Sequence, residues 1–499
     1  MVLQGQEAGV PSVLWQHRLG GSSDEAWQGV CVSSDGGIVV CGYTASADGD
    51  AADGKGGTDA WVVRFSAQGE LIWKKRFGGS KLDFANSVIN AEGGGFIVAG
   101  VSYSNDGDVS GNHGYSDAWV LKLSDQGEKE WSYLYGGECF EEAVSVQTST
   151  AGGYLIAGAS CSSGNMFPEE YKGLYDGFLF YIRNDGALIW QHHFGGSMND
   201  YFFHVDQSEQ GDWMVAGETF SGDGDLQHNN GQADAWLACV TSSGTLKWSQ
   251  TYGGPGNDRF FNVHCTGNGN LIASGYIQRD YDFDAWAIKA NHEGVVLKEQ
   301  SYGASGSDYF VGASLTEEGG VLFCGAVSRA TDGISGLGTT VDGWILKTDS
   351  SLQLEWQFFK GGEETDAFVG ITTYQNRIYL SGFTSSESTG LPAAHGMQDT
   401  WVVVLKNDLV NGVPWNEMSS SVKIYPNPVH ESGQFVLSYS QSSMVQHMFI
   451  LSASGEVLRS YNQVRNGQLI SVAGLPSGSY WIKMIDSRGK ISFLTLVVQ

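Results

Sequence analysis

Proline is scarce in this chain, eight in 499 residues, and charged side chains make up only 16% of it. With 41% apolar residues, that composition excludes a disordered polymer and leaves ample material for a packed core. Positive charge is scarcer still: 27 Lys and Arg face 55 Asp and Glu, for a formal charge of -28. The deficit is uneven. Residues 422–499 hold six basic and three acidic side chains, which leaves 21 against 52, or -31, for residues 1–421. A surface that acidic repels phosphate backbones and anionic lipid heads, so nucleic acid is excluded as a partner. No apolar run approaches the roughly 18 to 20 residues that cross a bilayer, so a transmembrane helix is not expected. A complete signal peptide is missing too. The first residues, "MVLQGQ" within segment 1–12, read as the tail of a signal-peptide apolar segment followed by a small-residue cleavage site, which predicts an upstream start.

Cysteines number seven, so at least one thiol stays unpaired in any disulfide scheme. Cys41 and Cys324 precede a glycine in a slot that elsewhere holds Ala99, Ala157, Ala216, Ser274 and Ser381, so both read as small buried side chains. Cys139 and Cys161 share one repeat and are the pair favoured for a bridge.

What the chain has in excess is glycine, 70 residues, and a repeat. A Trp followed by Gly-Gly recurs as "WQHRLGG", "WKKRFGG", "WSYLYGG", "WQHHFGG", "WSQTYGG" and "WQFFKGG". Aligned on Gly20, Gly78, Gly136, Gly195, Gly253, Gly303 and Gly361, the spacings are 58, 58, 59, 58, 50 and 58. A period near 60 signals stacked supersecondary units. Within each unit an acidic residue (Glu25, Asp83, Glu141, Asp200, Asp258, Asp308, Asp366) opens strand A. A continuous apolar run such as "FIVAG" makes strand B. Strand C begins at Asp59, Asp117, Asp176, Asp234, Asp284, Asp342 or Asp399, as in "DAWVVRF", and strand D carries the Trp before Gly-Gly.

Seven units of four strands predict an all-β fold, a seven-bladed β-propeller over residues 13–410. The seventh unit supplies A, B and C but no D, and the first strand of the chain, Val13 to Leu19, fits that vacancy and closes the ring. Twelve of sixteen tryptophans fall in two repeat slots, which favours packing between blades over a sugar-stacking surface.

The pattern changes after a linker over residues 411–421. Residues 422–499 alternate short strands and turn glycines and predict a small β-sandwich. This segment resembles the type A carboxyl-terminal sorting domain of Bacteroidetes proteins exported by the type IX secretion system. The resemblance rests on "IYPNP", with Tyr425, Pro426, Asn427 and Pro428, on Gly455, and on "LPSGSYWIKM", with Gly478 and Tyr480. It implies engagement of the type IX machinery and a secreted or cell-surface location. The "FGGS" and "DAWV" repeats resemble those of propellers secreted by the same phylum, which implies a fold without an activity.

Candidate chemistry is sparse. Repeated acidic residues read as turn or strand-end acceptors, because seven equivalent active sites are improbable. In "DGDVSGNHGYSD", Asp106, Asp108, Ser110 and Asp117 match the oxygen-ligand spacing of calcium loops, which makes calcium the one cofactor to test. The B-to-C loop of the third repeat, "NMFPEEYKGLY", and the shorter fifth, "QRDYDF", place Phe167, Tyr171, Tyr175 and Tyr281 as an aromatic ligand-binding notch. The reading is of a monomeric binding module for a glycan, surface polymer or protein. Its rivals are an extracellular hydrolase or lyase using loop-face carboxylates, and a structural surface component.

Overall fold

A computed structural model describes residues 11–498 except 53, 55, 164–171, 304–305, 329–340, 388–394, 407–422, 426–428, 430–432, 439–444, 452–456, 466, 477 and 487–490. They form two compact units, one spanning Ser12–Lys406 and the other holding the described residues from Lys423 on.

The first unit is seven four-stranded antiparallel sheets. After β1 (Ser12–Leu19), the first blade runs β2 (Glu25–Val32), β3 (Ile38–Thr44), β4 (Asp59–Phe65), β5 (Leu71–Phe77). The second is β6 (Asp83–Asn90), β7 (Phe96–Ser102), β8 (Asp117–Leu123), β9 (Lys129–Tyr135). The third is β10 (Glu141–Thr148), β11 (Tyr154–Ser160), β12 (Asp176–Ile182), β13 (Leu188–Phe194). The fourth is β14 (Asp200–Gln207), β15 (Trp213–Thr219), β16 (Asp234–Val240), β17 (Leu246–Tyr252). The fifth is β18 (Arg259–Cys265), β19 (Leu271–Arg279), β20 (Asp282–Ala290), β21 (Val296–Tyr302). The sixth is β22 (Tyr309–Leu315), β23 (Val321–Ser328), β24 (Val341–Thr348), β25 (Leu354–Lys360). The seventh blade is β26 (Asp366–Tyr374), β27 (Arg377–Thr384), β28 (Asp399–Lys406), completed by β1. Ser12 lies opposite Lys406 and Leu19 opposite Thr400, so the chain's beginning fills position D of its last blade, as the sequence predicts.

Position B carries a glycine for a steric reason. Gly217 faces Phe202 on one side and Trp236 on the other, and the two rings stack over it with centroids 4.3 Å apart. A Cβ there would come within 1.9 Å of the Tyr201 carbonyl oxygen. The same sandwich recurs as Phe260–Gly275–Trp286 and Phe368–Gly382–Trp401.

The position D tryptophans join blades. Trp73 Nε1 donates to the Asp125 carbonyl at 3.0 Å in the next blade's C-to-D turn, and Trp190 does the same to Ser242 at 3.2 Å. Gly127 and Gly69 of such turns sit directly on the Trp73 and Trp15 indoles, at positive φ, so a side chain is excluded twice over. Seven apolar clusters fill the seven spaces between consecutive blades, including the one between the last and the first. Each large buried side chain contributes on the order of 2 kcal/mol or more, so cohesion is spread round the ring.

In the second unit, β29 (Lys423–Tyr425), β30 (Gln434–Ser438) and β33 (Leu469–Ser471) form one sheet. β31 (Val445–Leu451), β32 (Val457–Val464), β34 (Gly478–Asp486) and β35 (Ile491–Val498) form the other. Phe435, Leu437 and Ile470 of the first share one core with Met448, Ile450, Ile482 and Leu496 of the second, the sandwich arrangement that alternation predicts.

Candidate functional site

The position A strands of all seven blades line a central channel of about 880 Å³. Each carries a β-bulge at the same place, between its third and fifth residues or the equivalent. A bulge leaves one residue outside the ladder and re-aims its side chain. Here it turns that residue into the channel. In three blades the residue is Val144, Val311 or Val369, in two it is Gln28 or Asn86, and in the fourth and fifth it is Phe203 or Phe261.

Those two phenylalanines anchor a continuous aromatic array. Tyr175 stacks on Tyr201 at 5.7 Å, Tyr201 on Phe203 at 6.3 Å, and Phe203 meets Phe261 at 5.5 Å. Phe261 packs edge-on to Tyr276 at 5.9 Å, and Tyr276 to Phe283 at 5.0 Å. Arg259 sits in the middle, its guanidinium carbon 4.8 Å from the Phe203 ring, 5.0 Å from Phe261 and 5.6 Å from Tyr276. Each such contact contributes about 0.5–2 kcal/mol. Buried Glu218 holds the guanidinium by two hydrogen bonds, 2.7 Å from Nε and 2.5 Å from Nη2. Burial pushes the Glu218 carboxyl up, and Arg259 opposes that shift.

Two of the four predicted notch residues join this face. Tyr175 belongs to the array, and Tyr281 stands 95% exposed in the two-residue turn between β19 and β20, next to the left-handed Asp280. Phe167 and Tyr171 lie outside the described residues. Sequence reasoning missed Tyr201, Phe203, Glu218, Arg259, Phe261 and Tyr276. Their signal is the doubled aromatic in "DYFFHV" and "DRFFNV", where other copies read "DFANSV" or "EEAVSV".

The acidic ring after Gly-Gly is buried and hydrogen-bonded. Asp83 Oδ2 accepts from Gly79 N at 2.8 Å and Ser104 Oγ at 2.8 Å, and Asp200 Oδ2 from Gly196 N at 2.7 Å and Ser221 Oγ at 2.9 Å. Burial pushes both carboxyls above their ordinary range against those bonds. In the second ring, Asp176 accepts from Lys172 N at 2.6 Å, and burial, aided by Asp200, pushes it up to about 6.

The acidic side chains of the calcium-like loop have partners within the protein. Asp106, Asp108 and Asp117 do not converge as a ligand set among the described residues. Asp106 Oδ1 accepts from Ser80 N at 2.7 Å, Asp108 pairs with Lys129 at 3.1 Å, and Asp117 binds His113 Nδ1 at 2.7 Å, while Ser110 is exposed. Asp223 on Ser197 N and Asp48 on Ser22 N, both at 2.7 Å, repeat the first contact, and Lys172 on Asp225 and Lys74 on Asp50 repeat the second. The spacing is that of a clasp tying the B-to-C loops of the first, second and fourth blades to the preceding Gly-Gly turns, with a lysine on each.

Cys139 and Cys161 are bridged, with Cα atoms 5.6 Å apart, and Cys41 and Cys324 are free and buried. In the C-terminal unit, Tyr425 ends β29 opposite Val436, Gly478 opens β34, and Tyr480 is buried with its hydroxyl donating to the Pro476 carbonyl at 2.6 Å. Pro426, Asn427, Pro428 and Gly455 lie outside the described residues. The family described as the secretion system C-terminal sorting domain matches residues 423–499. The chain ends in a type IX sorting domain. The protein is therefore a β-propeller exported by that system and secreted or displayed at the cell surface.

No curated protein sequence matches the chain. Among solved structures it is similar to the WD40 propeller domain of Doa1, at 12% identity and a TM-score of 0.47, covering 80% of this chain and 98% of that one. It is also similar to PorZ, a surface component of the type-IX secretion system of Porphyromonas gingivalis, at 11% identity and a TM-score of 0.42, covering 96% and 60%. A third is the extracellular domain of a putative one-component system from B. thetaiotaomicron, at 11% identity and a TM-score of 0.40, covering 99% and 59%. The chain thus spans about 60% of the length of the two bacterial structures.

Proposed function

We propose that the propeller is a binding module and that its loop face, at the third to fifth blades, takes a neutral glycan chain. The observation that carries this reading is the array of Tyr175, Tyr201, Phe203, Phe261, Tyr276 and Phe283 around Arg259. Sugar rings present a C–H face that packs on aromatic rings, and a row of rings suits a chain of sugars. Glu218 neutralises Arg259, and the net charge of -28 disfavours a polyanion, so the array selects for an uncharged ligand. Leu174, Met198 and Tyr281 also stand exposed in turns of the third to fifth blades.

The test is retention of the full chain on an array of immobilised glycans. Replacing Phe203, Phe261 and Tyr276 together by Ala is expected to weaken retention at least tenfold, at about 0.5–1.5 kcal/mol per ring, with the thermal midpoint of the propeller preserved. A folded triple variant that is retained as well as the parent contradicts the reading.

A further inference from the structure

We propose that Asp212, Cys239 and His292 form a zinc site on the face of the propeller opposite the loops. One carboxylate oxygen, the thiol sulfur and one imidazole nitrogen all lie within 4.8 Å of one another. Asp212 and Cys239 are buried and His292 is partly exposed, so the triad is open to solvent from one side. His292 Nε2 is 3.4 Å from Asp212 Oδ2, and Trp248 Nε1 fixes the turn by donating to the His292 carbonyl at 3.1 Å. Sulfur, nitrogen and carboxylate oxygen at such spacing suit a tetrahedral zinc ion with water as fourth ligand, and the thiol disfavours calcium or magnesium.

The repeat supplies an independent argument. Cys239 stands opposite Met214 and Trp248, the register that Arg64 holds opposite Val39 and Trp73 in the first blade. The matching residues elsewhere are basic in three blades, Lys122, Lys289 and Lys347, and uncharged in two, Tyr181 and Val404. Arg64 bridges its own blade's A-to-B turn and the next blade's C-to-D turn, through Asp35 at 2.8 Å and the Asp125 carbonyl at 2.6 Å. Lys289 reaches the next C-to-D turn at Ser350, 2.7 Å away. In the fourth blade the same three elements converge, but they bring a carboxylate, a thiol and an imidazole, with no basic side chain at the central position. A zinc ion restores the positive charge there. On binding, Cys239 forms a sulfur–zinc bond and releases its thiol proton to solvent. Without metal, Lys247 holds Asp212 at 2.7 Å from an exposed position, so lysine and zinc compete for one carboxylate.

The test uses the full chain freed of metal, with zinc measured in competition with a chromogenic chelator and cobalt as the spectroscopic substitute. One equivalent should bind, and cobalt should give a thiolate-to-metal charge-transfer absorption. Cys239→Val, whose replacement residue occurs at the matching Val404, should abolish that absorption while preserving the thermal midpoint. His292→Ala should weaken zinc at least about tenfold. Lys247→Ala should strengthen zinc binding, because the competitor is gone. Cobalt binding without the thiolate absorption, equal zinc affinity in Cys239→Val, or weaker zinc binding in Lys247→Ala would each overturn the site in favour of diffuse attraction to the acidic surface.

Discussion

Buried charge at single residues sets how this propeller responds to substitution and to pH. Arg18 of β1 lies 3.6 Å from Asp399 of β28, and neither side chain is accessible to solvent. Removing the cation leaves the buried Asp399 carboxylate, which accepts from His395 N at 3.0 Å, without its counter-charge, so Arg18→Ala is expected to cost about 3–5 kcal/mol, read as a fall in urea midpoint. Asp176 behaves in the opposite sense. Its carboxyl is pushed up to about 6, so between its ordinary range near 4 and that value the folded chain binds more protons than the unfolded one. The stability this group contributes therefore falls as pH rises through that window. Asp176→Asn keeps an acceptor for Lys172 N and cannot ionise. The variant should gain stability relative to the parent when the urea midpoint is compared at pH 7 and at pH 4. A difference that is constant with pH, or that shrinks, contradicts the assignment of burial as the dominant cause.

At the scale of the strand, β1 carries the closure of the ring. It covers the edge of β28, places Trp15 beneath Gly69 of the first blade, and receives the Thr400 hydroxyl on the Leu19 carbonyl at 2.6 Å. A chain lacking residues 1–19 should lose on the order of 5 kcal/mol from uncovered Trp and Leu surface, and should aggregate through the exposed β28 edge. A peptide of residues 12–19 added in trans should restore the thermal midpoint; a truncated chain that melts like the parent would contradict this role.

Closure was legible in the sequence because the missing position D and the surplus first strand differ by one countable Trp-to-Gly-Gly unit. The aromatic array was less legible. Position A reads as a plain alternating strand, and only the bulge after Phe202 and Phe260 turns the next residue, Phe203 or Phe261, into the channel. One extra residue reverses which face a side chain occupies, and simple period-two reasoning cannot see it. The calcium-like loop shows a related limit of spacing. Spacing in the chain puts Asp106 and Asp108 in one loop that ends at Asp117 of β8, but their partners, Ser80 N, Lys129 and His113, come from the folded arrangement.

Over the whole molecule, seven similar blades make a closed ring, and both proposed sites fall where the repeat breaks. The fourth and fifth blades depart from it on both faces: above, phenylalanines replace Val, Gln or Asn at the bulge, and below, Cys239 stands where four other blades place Arg or Lys, with His292 beside it. The sorting domain directs this ring out of the cell. Hydrogen–deuterium exchange of the full chain, with and without a retained glycan, tests the binding face most directly. Protection is predicted to concentrate at residues 200–204, 259–262 and 276–283; protection spread evenly round the ring, or confined to the opposite face, would contradict it.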